Sequence, residues 1–199
     1  MKIPRSVSTA GALGVLALLL AGSPASAVTL TLDSSVHGIA GQTVLVNLNT
    51  TSLTGLNVRS FQFDVTYNAS VVTATAVVES TTMVSTAGWG DATFSVTSGH
   101  LIVSHAGANA LSGAGPLCVL RFVINPALLG GSATGINFGS FTFNEGAPND
   151  TTVNGFITVN ATPVISVSPN SGEIIRGQTL GFSVSGSVTN PVTWSTTNP

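Results

Sequence analysis

From residue 28 onward the apolar content of this chain comes in short runs of Val, Ile, Leu, Phe and Thr, each cut off by Gly, Asn, Ser or Pro. Such punctuation fits an antiparallel sandwich or barrel, in which every strand spans one sheet and then turns. A helix would need apolar residues recurring every three to four positions over several turns, and no stretch after residue 27 sustains that period. Helix content is therefore expected to be close to nil. Nine runs read as strands, near 28–33, 42–50, 58–67, 71–79, 91–97, 100–106, 116–125, 134–144 and 151–159. Ser112-Gly113-Ala114-Gly115-Pro116 and Leu129-Gly130-Gly131-Ser132 read as connections.

One run alternates cleanly. Phe61, Phe63, Val65 and Tyr67 occupy one side of the strand, and Ser60, Gln62, Asp64 and Thr66 the other. One buried and one wet face is the pattern of an antiparallel sheet, and the wet face is where a partner would be met. Cys118 is the single cysteine, which excludes an intrachain disulfide. It lies in phase with Leu120, Phe122 and Ile124, as a small buried strand residue would. Stability must then come from the core of the sandwich.

The N-terminus has the layout of an export signal. Lys2 and Arg5 precede an uncharged, mostly apolar run over 10–22, and Ala25-Ser26-Ala27 gives a small-x-small cleavage pattern. The run is too short for a hydrocarbon core of about 30 Å, which needs roughly 20 apolar residues. Cleavage is expected after Ala27, giving a secreted or cell-surface protein whose mature chain does not insert in a membrane. Beyond that point Arg59, Arg121 and Arg176 stand against seven acids, with no lysine. Nucleic-acid binding needs clustered Lys or Arg to displace counterions from phosphates, so that class of partner is excluded.

Catalytic signals are missing where they would be sought. The few acids are scattered, whereas glycoside hydrolysis needs two carboxylates facing each other about 5–10 Å apart. His37, His100 and His105 lack metal-ligand spacing, and His100 and His105 fall on opposite faces of a strand. No Gly-x-Ser-x-Gly elbow or phosphate loop occurs. The oxygen-rich stretch Asn144 to Asp150 lacks the alternating carboxylates of a calcium loop and reads as a turn. No catalytic residue, metal or cofactor is assigned. Trp89, in Ala87-Gly88-Trp89-Gly90-Asp91, is the one aromatic outside a strand and the candidate glycan contact; Tyr67 and Trp194 read as core.

Four motifs in order resemble a cohesin, the module that receives dockerins in cellulosome scaffolds. They are Gly38-Ile39-Ala40-Gly41-Gln42-Thr43-Val44, then the run from Phe61 through Tyr67-Asn68-Ala69-Ser70-Val71-Val72, then Gly115-Pro116-Leu117-Cys118-Val119-Leu120-Arg121-Phe122, and finally Asn154-Gly155-Phe156-Ile157-Thr158-Val159. The resemblance covers residues 28–160 and implies a nine-stranded jelly-roll sandwich. It also implies a docking face on the Phe-x-Phe strand, where dockerin-binding cohesins show Asn and Asp and this chain has Ser60 and Gln62. On a partner strand the family's apolar positions become Val103 and His105, and its acid falls near Ala108. The partner-binding set is thus Ser60, Gln62, Asp64, Val103 and His105.

After residue 160 the pattern restarts at Ala161-Thr162-Pro163, with strands expected over 164–169, 177–184 and 191–195. The early Ser-Pro, Gly177-Gln178-Thr179-Leu180 and Val192-Thr193-Trp194-Ser195 resemble the opening of a bacterial immunoglobulin-like repeat of invasins and intimins. Residues 161–199 hold too few strands to close a core, so an incomplete immunoglobulin-like domain is expected there. The functional expectation is an exported, non-catalytic module that docks a dockerin-like extracellular protein, with a link to polysaccharide breakdown. The alternatives are a structural or adhesive cell-surface module and a carbohydrate-binding module using Trp89.

Overall fold

The computed structural model describes residues 27–162, 165–168, 172–173 and 176–186. Residues 1–26 of the expected export signal, the strand expected over 191–195 and Trp194 lie outside the described residues. Residues 28–160 form a two-sheet sandwich. One sheet has five strands: Asp150–Val153 (β10), Val28–Leu32 (β1), Thr43–Thr50 (β3), Gly115–Ile124 (β8) and Val72–Val78 (β5), in that spatial order. The other has six: Val36–Ile39 (β2), Gly155–Asn160 (β11), Ala133–Phe143 (β9), Val58–Thr66 (β4), His100–Leu111 (β7) and Thr93–Thr97 (β6).

The nine runs become eleven strands because Val36–Ile39, which lies outside all nine, continues the first run into the other sheet, and the last run is divided between the two sheets. The N-terminal run leaves the five-stranded sheet after Leu32 and re-forms as β2 in the other; the C-terminal run does the same at Asn154. The two lie side by side in parallel, β1 on β10 and β2 on β11, so the sandwich is not wholly antiparallel. The crossing is tight. The N–H of Phe156 donates to the Asp33 carbonyl at 3.1 Å, and a Cβ on Gly155 would fall 2.7 Å from that same oxygen. The Asp33 carboxylate fixes the corner by accepting from the Asn47 backbone N–H at 3.0 Å and from the Asn47 and Asn49 amides.

The core follows from period-two alternation. Val58, Phe61, Phe63 and Val65 of β4 are buried, as are Leu30, Leu32, Val46 and Leu48 across the sandwich. Cys118, Leu120, Phe122 and Ile124 bury together from β8, and burial pushes the Cys118 thiol far above its ordinary range. Tyr67 is buried as expected; its ring meets Phe122 edge-on at 5.3 Å, and its hydroxyl accepts from the Ala74 N–H at 3.3 Å. The expectation of almost no helix meets one exception, the single turn Met83–Thr86 (α1), which plugs the core with Val84. Four residues carry no periodicity to detect.

Beyond residue 160, Ile165–Ser168 (β12) and Ser183–Gly186 (β13) pair in an antiparallel ladder.

Candidate protein-docking face

The outward side of the six-stranded sheet is the feature on which a partner could seat. On β4 it carries Ser60, Gln62 and Asp64, because the alternate positions are committed to the core. In an antiparallel pair, residues directly opposite share a face. Gln62 stands opposite Ser104 of β7 and Thr142 of β9, while Asp64 stands opposite Ile102 and Ser140. Thr93 and Ser95 of β6 extend the same face beyond Ser104 and Ile102. The result is a shallow, hydroxyl- and amide-lined concavity of about 500 Å³, with Asn144 and Glu145 at one rim.

Asp64 is prepared with care. A bulge in β9 leaves Gly139 unpaired between Ser140 and Phe138. A Cβ at Gly139 would fall 2.1 Å from Asp64 Oδ2, so the carboxylate occupies space that only glycine leaves open. The Ser140 hydroxyl donates to Oδ1, and His100 Nε2 lies 3.0 Å from Oδ2. The Ser140 hydrogen bond, aided by His100 and opposed by partial burial, holds the Asp64 carboxyl below the usual carboxylate range. Asp64 is thus a fixed anion beside a hydroxyl- and amide-lined floor, with Glu145 a second acid at its rim. The three side chains lack the order of a Ser–His–Asp relay, because the carboxylate, and not the imidazole, sits between the other two.

The rim near Asn144 is structural. Its side-chain oxygen accepts from the N–H groups of Arg59 at 2.8 Å and Ser60 at 3.1 Å, and its amide donates to the Asn57 carbonyl at 3.0 Å. The side chain is spent on closing a turn, in keeping with the turn expected of 144–150. Among the described residues no three of His, Cys, Asp and Glu gather as a metal set.

Two of the five expected docking residues are placed on the wrong side. Val103 is fully buried, and it stands opposite Phe63 on the inner face. His105 is only 6% exposed; it stands opposite Phe61, meets that ring edge-on at 5.6 Å and has Nε2 2.6 Å from the Gly90 carbonyl oxygen. Register with β4 puts Ile102, Ser104 and Ala106 outward instead, and these are the residues that sequence reasoning missed. Both rows of β7 start with aliphatic residues, Leu101 and Val103 against Ile102, so hydrophobicity did not distinguish them. Pairing each candidate with its odd-numbered partner on β4 would have. His100 does lie on the face opposite to His105, as the five-residue spacing requires. The family's acid position, Ala108, offers only its backbone carbonyl, which accepts from the Arg59 guanidinium.

Trp89 is not a sugar platform. It is 7% exposed, stacked 5.9 Å from Phe61, with its indole N–H donating to the Asn109 carbonyl at 2.8 Å. A Cβ at Gly107 would fall 2.1 Å from the indole, so this glycine exists to admit the ring.

Comparison with known proteins places this geometry. The family profile described as cohesin domain matches residues 28–159. A cohesin from Clostridium acetobutylicum superposes with a TM-score of 0.57 at 22% identity, over 67% of this chain and 91% of that one. The sixth cohesin of scaffoldin B from Acetivibrio cellulolyticus, solved in complex with a Cel5 dockerin, gives 0.57 at 20% identity over 68% of this chain and 100% of its own. A non-cellulosomal cohesin from the hyperthermophilic archaeon Archaeoglobus fulgidus gives 0.55 at 16% identity, over 68% and 93% respectively. No curated protein matched.

Proposed function

The chain belongs to the cohesin family, and from that premise we propose that it is a non-catalytic docking module whose outward six-stranded sheet receives a dockerin-type protein. One observation carries the reading: a shallow polar floor beside which a carboxylate, Asp64, is positioned in advance. A pre-organised acceptor loses little freedom on binding, and a charge-assisted hydrogen bond to it is stronger than a neutral one. Ser60, Gln62 and Asp64 of the expected set remain in this proposal; Ile102, Ser104 and Ala106 replace Val103 and His105. The solved complex of a related cohesin with a Cel5 dockerin supports this choice of partner class; a link to polysaccharide breakdown is proposed on the resemblance to cellulosome cohesins alone.

Titration calorimetry against a set of dockerins, starting with the Cel5 dockerin, tests the assignment. Ser104→Arg should abolish binding by filling the concavity. Leu45→Arg, at a 52% exposed position on the other sheet, should leave it intact. No binding by any dockerin, or equal loss in both variants, would refute the proposed face. We also propose that the protein acts outside the cell, on the layout of residues 1–27. N-terminal sequencing of secreted material should then begin at Val28, and a start at Met1 would refute the cleavage.

A further inference from the structure

Sheet edges offer unpaired backbone N–H and C=O groups to any extended strand, and proteins blunt them with charge, brevity, proline or bulges. Three of the four edges of this sandwich are blunted so. β10 has four residues and carries Asp150; β2 has four and carries His37 and Gly38. β5 has a register shift between Ala74 and Ala76. The fourth edge, β6, is different. Thr93-Phe94-Ser95-Val96-Thr97 is uncharged, contains no proline or glycine, and pairs with β7 in unbroken register. All five residues are exposed, with Phe94 at 41% and Val96 at 37% although both lie in the inward row.

The order of those residues selects an occupant. Read about Ser95 the strand is nearly palindromic, so a second copy aligned antiparallel would set Ser95 opposite Ser95, Phe94 opposite Val96 and Thr93 opposite Thr97. Aromatic with β-branched, and Thr with Thr, are favourable cross-strand pairs. In this register the flanking acid Asp91 meets Gly99 of the other copy instead of a second acid. We propose that β6 is a self-association edge, joining two copies of this chain through a symmetric antiparallel β6–β6 pair. The two-fold axis of such a pair is normal to the sheet, so both docking faces point the same way. The dimer is a bivalent platform, and a partner with two docking modules would gain avidity without any new contact. A five-residue edge is a small interface, so the association is weak and depends on concentration.

Disulfide trapping in the purified full chain reads the register directly. Opposed residues have Cα atoms about 4.5–5.5 Å apart, within disulfide range. Cys118 is fully buried and does not compete. Under mild oxidation Ser95→Cys should give a reducible dimer, Thr93→Cys alone at least tenfold less, and Thr93→Cys with Thr97→Cys together should restore it. Sedimentation should show the unmodified chain passing from monomer to dimer between micromolar and millimolar concentrations, and Val96→Lys should stay monomeric. Equal trapping by the two single-cysteine variants, or a monomer at millimolar concentration, would overturn the proposal. Neither readout involves a dockerin, so failure here and failure of the docking face are distinguishable.

Discussion

At the scale of single residues, β4 divides its labour by parity. Phe63 is fully buried, stacked at 5.8 Å on Phe141, whereas Gln62 points to solvent. Phe63→Ala should cost about 3–5 kcal/mol. Gln62→Ala should shift stability by less than about 0.5 kcal/mol. Urea midpoints of the two variants check this, and the reverse order would mean that the faces are inverted. Asp64 gives a pH-dependent counterpart. Its folded pKa lies below the ordinary aspartate value, so its contacts favour the folded state fully above the unfolded pKa. That contribution is lost as pH falls through the lower folded value. Ser140→Ala removes the main cause of the depression and should move the NMR titration midpoint of the Asp64 carboxyl upward. An unchanged midpoint would show that the hydroxyl does not hold the carboxylate.

At the scale of elements, what could be read in advance was whatever repeats within one strand. Phe61, Phe63 and Val65 on one side and Cys118, Leu120, Phe122 and Ile124 on another are visible because alternation is local. The switch of one run between two sheets at Asp33 and at Asn154 is not, because it depends on which strands lie alongside; the only local trace is Gly155 beside Asn154. The inward turn of Val103 and His105 was hidden for a similar reason, since β7 has aliphatic residues on both rows and only its register with β4 decides. Gly139 and Gly107 look like any strand glycine until Asp64 and Trp89 are seen to fill the space above them. The two-strand ladder β12–β13 exposes Val167 and has no second sheet among the described residues. Two strands alone are marginal in water. Amide exchange should therefore be fast in β12 and β13 and slow in β3, β4 and β8, and matching protection would mean that the second segment is independently stable.

At the scale of the whole molecule, the parallel arrangement of the first and last runs fixes where the chain enters and leaves. Val28 lies beside Asp150 at the start of both runs, and Asn160 lies beside Ile39 at their end. Entry and exit are therefore at opposite poles of the sandwich, separated by the length of two successive ladders. In a string of such modules, tension would pull Val28 and Asn160 apart along the strand axis. The terminal runs would be loaded in shear, so the hydrogen bonds of both parallel ladders share the force and must fail together. A hairpin pulled from one end opens bond by bond; this arrangement has no such weak end.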